Sequence, residues 1–345
     1  MSDHQLSFEE RLRQQGVSRR NFLKFCGLMA ATLALPAIEA PRIARALGSA
    51  GLTSEELKAM GVNAVPLSRY AESPITPAAR PPLVWLEFQG CTGDTESFLH
   101  ASNPNVSQIL LETLSVNYHE TLMVPSGALA TKSLNDTIAN YRGQYLVVIE
   151  GSIPTGAGGA YCTIGGRSAQ QIATEVCSQA AVVITTGTCS SSGGISAAQP
   201  NPTGAVGVQQ LLPNLTNHLS LPGCPMNVVN LTAVIVHYLT YASLPPMDSQ
   251  QRPMFAYGDL IHDMCPRREH YDKKEFVLSW GDEHHRAGWC LYKMGCKGPE
   301  THANCPKVKW NEGTNWPIGA GHPCVGCTGV NFWDAQTPFY KPLPG

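Results

Sequence analysis

The stretch Tyr145-Leu146-Val147-Val148-Ile149-Glu150 is a short apolar run rich in β-branched residues, with helix-patterned segments on both sides. Upstream, Ala128–Tyr141 carries apolar residues at helical spacing. Downstream, Ala169–Ala180 does so again and leads into a second run, Ala181–Thr186. A third run, Leu83–Phe88, opens the region and is followed by helix-like segments at Thr95–Ala101 and Val106–Val116. Short apolar runs separated by helical patterns imply strands joined by crossover helices, hence a parallel sheet. The expected class is α/β, with a flavodoxin-like N-terminal domain. Ligands of such sheets gather beyond the carboxyl ends of the strands. Cys91 follows the first run, Cys189 follows Ala181–Thr186, and Cys224 follows a short strand near His218–Leu221. Residues far apart in sequence are thereby expected at one sheet edge.

Beyond a helical segment around Asn227–Leu239 the texture changes. From about Leu244, Pro, Gly, Cys, His and Trp dominate and periodicity fades. This predicts a C-terminal domain of low regular structure, residues 244–345, after a sheet domain at 83–243. Residues 47–82, with Pro66, Pro74, Pro77, Pro81 and Pro82, read as an arm or linker. A region of weak periodicity folds if bound metal supplies the missing free energy.

At the N-terminus, Ser18-Arg19-Arg20-Asn21-Phe22-Leu23-Lys24 precedes an apolar run, Phe25–Ile38, and the small-x-small site Ala44-Arg45-Ala46. Residues 1–46 read as a twin-arginine export signal, which predicts a periplasmic chain, soluble or peripherally attached to the membrane. That route carries folded proteins, so the cysteines are free to take metal inside the cell. No stretch approaches the ~20 apolar residues of a membrane-spanning helix. A net charge of -2 with 14% charged residues supplies no basic field for a phosphate backbone, which excludes nucleic acid as the expected partner.

Of the twelve cysteines, Cys26 lies in the export signal. The C-terminal region holds His262-x2-Cys265, Cys290-x5-Cys296-x8-Cys305 and Cys324-x2-Cys327. Soft donors at this spacing suit iron–sulfur clusters or zinc, and disulfides are a third reading for an exported protein. An odd number of cysteines and a histidine beside Cys265 fit a disulfide framework poorly. Cys177, in a helical apolar pattern, reads as a core thiol, and Cys162, in the Gly156–Gly166 loop, stays ambiguous. That loop lacks the lysine of a P-loop and reads as a flexible turn.

Several strings together resemble the small subunit of nickel-iron hydrogenases over nearly the whole chain. They are Gly90-Cys91-Thr92-Gly93-Asp94-Thr95-Glu96, Gly187-Thr188-Cys189, Pro200-Asn201-Pro202-Thr203, Pro222-Gly223-Cys224-Pro225, Ile261-His262-Asp263-x-Cys265, Cys290-Leu291-Tyr292-x-Met294-Gly295-Cys296-Lys297-Gly298-Pro299 and Gly321-His322-Pro323-Cys324-x-Gly326-Cys327. The resemblance implies two 4Fe-4S clusters and one 3Fe-4S cluster. By position, Cys91, Asp94, Cys189 and Cys224 would hold the proximal four-iron cluster. His262, Cys265, Cys290 and Cys296 would hold the distal one, and Cys305, Cys324 and Cys327 the medial three-iron cluster. Pro317 falls near the place where the family's medial site lacks a fourth cysteine.

The resemblance further implies a large subunit that bears the nickel-iron centre, and an electron path from proximal through medial to distal cluster. With no membrane helix expected, the acceptor would be a separate cytochrome or iron–sulfur protein docking near His262. Two departures stand out: Asp94 occupies a position that is cysteine in most members, and Gly90 one that is glutamate. The extra cysteines of oxygen-tolerant members fall at Gly93 and Gly194, so Asp94 is expected to give the proximal site a different plasticity. Thr92 and Glu96 are weighed as part of a proton path or of the contact between subunits, against a capping Thr95 with Glu96 in the first helical turn. His284 and His285 read as solvated surface residues. Two other functions stay open at this level, a stand-alone multicluster electron carrier and a zinc-stapled exported binding protein.

Overall fold

Five parallel strands carry the molecule: β1 (Pro82–Glu87), β2 (Ser115–His119), β3 (Leu146–Glu150), β4 (Val182–Thr186) and β5 (His218–Leu221). Their order is β2-β1-β3-β4-β5, the flavodoxin-like order, with the switch point between β1 and β3. The computed structural model describes residues 19–36, 39, 40, 42–44, 80–102, 105, 106, 109 and 113–344. Ser18, the processing site beyond Ala44 and the arm as far as residue 79 lie outside the described residues.

Alternation along each strand divides the core in two. Leu83, Trp85, Leu146, Val148, Val182, Ile184, Leu219 and Leu221 face one side. Val84, Leu86, Val147, Ile149 and Val183 face the other, where they meet helices α3 (Gly127–Asn140) and α4 (Ala169–Cys177) through Leu134, Ile138, Ile172, Ala173 and Val176. Burying one such Leu, Ile or Val contributes about 1.5–3 kcal/mol. Helix α4 starts at a capping box, in which the Ser168 hydroxyl accepts from Gln171 N and the Gln171 side chain accepts from Ser168 N. Cys177 is fully buried, as expected of a core thiol.

Strand β2 corrects the expectation of a helix over Val106–Val116, whose last two residues, Ser115 and Val116, begin this strand. Being an edge strand, β2 buries only Tyr118 and His119 and shows no continuous apolar run. Its polar groups are met by α3 instead: Asn117 Nδ2 donates to Thr137 Oγ1 at 2.9 Å, and Ser133 Oγ donates to Asn117 O at 2.6 Å.

Helix α6 (Val228–Tyr241) is apolar on almost every side because it is covered on two. Leu231, Val234 and Ile235 join the core under the sheet. Ala233 and Val236 pack against Met29 and Ala30 of the N-terminal helix α1 (Arg19–Thr32), against Leu33 just beyond its end, and against Ile43 and Ala44. No helix among the described residues is long and apolar enough to cross a membrane.

After α6 the regular elements shrink to a single turn or little more: Met254–Tyr257, Arg268–Asp272, Glu283–Arg286, Cys305–Val308 and Phe332–Ala335. This region folds onto the sheet face already occupied by α6, adding Ile261, Val277, Leu291 and Trp316 to the same core. The loop at Gly156–Gly166, expected to be a flexible turn, is instead tied down. Thr155 N donates to Gly204 O and Gly156 N to Thr203 O, at 2.9 and 2.8 Å.

Candidate metal centres

The carboxyl edge of the sheet assembles the first donor group. The chain leaving β1 reaches Cys91 and turns at Thr92 (φ 62°) into the short helix α2 (Gly93–Leu99). Cys189 lies in the helical turn α5 (Gly187–Ser192) directly after β4, and Cys224 follows β5. Asp94 is 7% exposed, and its Oδ1 accepts from Met226 N at 2.6 Å. The carboxylate lies against bare backbone: a Cβ on Gly187 would sit 2.0 Å from Asp94 Oδ2, so only glycine is compatible with it there.

These groups act on one another electrostatically. Burial lifts the Asp94 carboxyl to about 7, the Met226 N–H pulls it down, and the Glu150 charge adds to the rise. Burial also pushes the Cys189 thiol up to about 11, with Asp94 and Cys91 adding to it. Cys224 shows part of its surface to solvent, yet the protein around it raises its thiol to about 12, and Cys327, Cys189, Cys91 and Asp94 push further. A set of crowded donors that resist ionising is stabilised when a cation shares their charge.

Glu150, missed as a site residue, holds this group together. It ends β3, is 2% exposed, and accepts from Asp94 N (2.8 Å), Thr95 N (3.0 Å), Thr95 Oγ1 (2.6 Å) and Trp85 Nε1 (3.2 Å). A strand carboxylate thus satisfies the free N–H groups at the start of α2. The signal was a carboxylate closing an apolar strand at the ligand-binding edge. Thr95 is therefore not a cap: α2 begins at Gly93, and the Thr95 hydroxyl points to Glu150 and Glu87.

His262, Cys265, Cys290 and Cys296 line a single partly open cleft, together with Arg267 and Tyr292. Turns bring them there: Cys265 N donates to His262 O (3.3 Å), His262 N to Gly298 O (3.2 Å), and Cys296 N to Leu291 O (3.3 Å). The His262 ring packs edge-on against Tyr271 with centroids 4.5 Å apart. Burial raises the Cys290 thiol to about 11, the Tyr292 N–H opposes this, and Cys296 and Cys265 add to it.

Cys305, Cys324 and Cys327 lie between these two groups. Burial raises Cys305 to about 12 with help from Cys327, and burial also lifts Cys324 well above the ordinary thiol range, Cys296 and then Cys327 contributing. The Cys224 backbone donates toward the Cys327 thiol, and Lys297 N donates to Cys324 O at 2.8 Å. The three donor groups are consequently contiguous in one order. All twelve cysteines are unpaired, so no disulfide competes for them. Among the described residues no three His, Cys, Asp or Glu are spaced around a single ion. A cluster differs in that its ligands sit on different irons and stand farther apart. Pro317 is exposed between the buried Trp316 and Ile318.

Gly93 and Gly194 differ in what they could accept. A Cβ at Gly93 would meet Cys91 Sγ at 3.1 Å, whereas one at Gly194 would meet Cys189 Sγ at 2.3 Å. Gly194 also adopts φ 60°, ψ -159°, a region open essentially to glycine alone. The histidine pair is less solvated than expected. His284 stacks on Trp289 with centroids 3.9 Å apart, and His285 bridges Gly281 N and Gly321 O at 3.0 and 2.7 Å.

Residues 257–340 match the C-terminal family of NiFe/NiFeSe hydrogenase small subunits, and residues 91–238 match NADH ubiquinone oxidoreductase, 20 Kd subunit. The chain is 42% identical over 334 residues to periplasmic nickel-iron hydrogenase small subunit 1 of Nitratidesulfovibrio vulgaris, covering 96% of both chains. It is 40% identical to the hydrogenase-2 small chain of Escherichia coli K12, covering 93% of this chain and 79% of that one. The fold superposes on the nickel-iron-selenium hydrogenase of Desulfomicrobium baculatum with a TM-score of 0.73 at 31% identity, covering 77% of this chain and all of the other. With identity of this extent and three ordered donor groups on the same fold, the chain belongs to the nickel-iron hydrogenase small subunits, the oxidoreductase family of periplasmic and uptake enzymes.

Proposed function

We propose that this chain relays electrons between the nickel-iron centre of a large subunit and an external acceptor, through proximal, medial and distal iron–sulfur clusters. Cys91, Asp94, Cys189 and Cys224 hold the proximal 4Fe-4S cluster, His262, Cys265, Cys290 and Cys296 the distal 4Fe-4S cluster, and Cys305, Cys324 and Cys327 the medial 3Fe-4S cluster. The bound clusters supply one-electron redox steps, and this subunit breaks no bond of the substrate itself. The carrying observation is the order of the donor groups in the fold: Thr188, beside Cys189, donates to Cys327 O, and Lys297 N, beside Cys296, donates to Cys324 O at 2.8 Å. Cys91 and Cys224 are exposed, which suits a proximal site completed by the large subunit. Arg267 and Tyr292 beside the distal donors, with the partly open cleft at His262, suit a surface exit toward a cytochrome or iron–sulfur protein. Residues 1–46 serve as a twin-arginine signal that sends the loaded protein to the periplasm, with residues 47–82 as an arm and domains at 83–243 and 244–345.

Asp94 is an oxygen ligand in this reading, harder than thiolate and more readily released as the cluster changes charge. Iron, acid-labile sulfide and nickel analysis of the anaerobically purified complex, with electron paramagnetic resonance, tests the proposal. One three-iron and two four-iron signals are expected, with nickel in a co-purifying chain, and Asp94→Cys is expected to change only the proximal signals. An iron-free chain with thiols joined to one another would overturn the relay. Proximal spectra and oxygen response unaltered in Asp94→Cys would remove Asp94 from the ligand set.

A further inference from the structure

Thr188 stands at a junction that the donor residues alone do not explain. It is 3% exposed, and its hydroxyl meets two other chain segments. Thr188 Oγ1 donates to Cys327 O at 2.5 Å and accepts from Gly223 N at 3.0 Å, while Thr188 N donates to Gly223 O at 2.8 Å. One side chain therefore joins the residue before Cys189, the residue before Cys224, and the main chain of Cys327 itself. A hydroxyl has one proton and can accept at its lone pairs, so donor and acceptor roles are both used. Valine has the same shape without them, and would leave Gly223 N and Cys327 O without this partner in a buried place.

The rest of the Cys224 loop shows the same constraint. The wholly buried Tyr257 donates its Oη to Pro222 O at 2.8 Å. A Cβ at Gly223 would lie 2.6 Å from Pro225 O, so the turn has no slack. The loop is thus held at Pro222 by Tyr257 and at Gly223 by Thr188, and only the second contact also reaches Cys327. Electron transfer between two centres falls steeply with their separation, which gives a contact spanning them a role beyond local stability.

We propose that Thr188 is a positioning residue whose hydroxyl sets the separation between the proximal and medial clusters by clasping the Cys224 loop to the main chain of Cys327. This rests on the assignment of Cys189, Cys224 and Cys327 as cluster ligands. Thr188→Val, Thr188→Ala and Thr188→Ser are compared with the unaltered protein as the assembled complex. Two measurements are made: amide hydrogen exchange at Gly223, and the proximal and medial midpoint potentials with their mutual spin coupling.

In the Val and Ala variants the Gly223 amide is expected to exchange roughly 10-fold faster, the effect of losing one net hydrogen bond. The spin coupling is expected to change with iron content retained, and Ser is expected to restore both. Should Val and Ala fail to assemble while Ser assembles, the requirement for the hydroxyl is upheld. A Ser variant that behaves like Val, or Val and Ala variants with unaltered exchange and coupling, would overturn the clasp. A wild-type complex without cluster signals would remove the ligand assignment instead, and the exchange result at Gly223 would still report on the hydrogen bond.

Discussion

The sheet region and the C-terminal region share one core but are held in different ways. In the former, five strands of four to six residues form the sheet, all but the edge strand β2 buried on both faces, and α3, α4 and α6 run for 14, 9 and 14 residues. In the latter, helices run three to five residues, and main-chain groups are met by turns and single side chains. His285 on Gly321 O, Arg267 on Trp289 O (2.8 Å) and Lys297 on Lys341 O (2.7 Å) do there what ladders do in the sheet. Apolar periodicity can be spared where another source of free energy exists, and seven of the eleven proposed ligands sit in this second region.

Removing iron is the strongest way to break that comparison. Anaerobic chelation should open residues 244–345 to protease while the amides of β1, β3 and β4 stay protected from exchange, because metal binding energy is folding energy only where donors replace a core. Equal protection of both regions after iron loss would show that the C-terminal turns stand unaided.

A smaller effect belongs to the sheet. Burial holds the His218 imidazole near 4 instead of 6.5. Above pH 6.5 it is neutral whether folded or unfolded. Below that the unfolded chain takes a proton which the folded chain refuses until the pH nears 4, so stability falls across this window. Urea midpoints measured by sheet-sensitive signals should show His218→Gln losing about 3 kcal/mol less than wild type between pH 7 and 4. Parallel pH profiles for the two proteins would place the acid sensitivity elsewhere.

The smallest effect sharpens the account of local order. Ser168→Ala removes the capping box of α4 and should lower the denaturation midpoint by the equivalent of about 1 kcal/mol. Iron content should not change, since α4 lies on the sheet face opposite Cys265, Cys296, Cys305 and Cys324.

Strands β1, β3 and β4 were legible because being buried on both faces makes each a nearly continuous apolar run. Strand β2 was not, because an edge strand that bonds its polar side chains to α3 carries no such run. The proposed donor sets came from the family strings, since spacing alone left zinc and disulfides open, and the four residues proposed as distal donors line one cleft. Glu150 and Thr188 were not, since each acts through a hydrogen bond to main chain 35 or more residues away, and no local pattern records that. The histidine pair misled for the opposite reason: two adjacent polar residues look solvated until Trp289 and Gly321 are folded against them.

Gly194 bears on how this protein could change over generations. Its backbone occupies a region that costs a side chain of order 1–3 kcal/mol, and the space beside it is filled by the sulfur of Cys189. A cysteine could not simply be inherited at this position by one codon change. The turn between Ser192 and Ile195 would first have to be rebuilt, so any lineage travelling that way crosses a strained intermediate, whereas variation at Gly93 meets a milder obstacle.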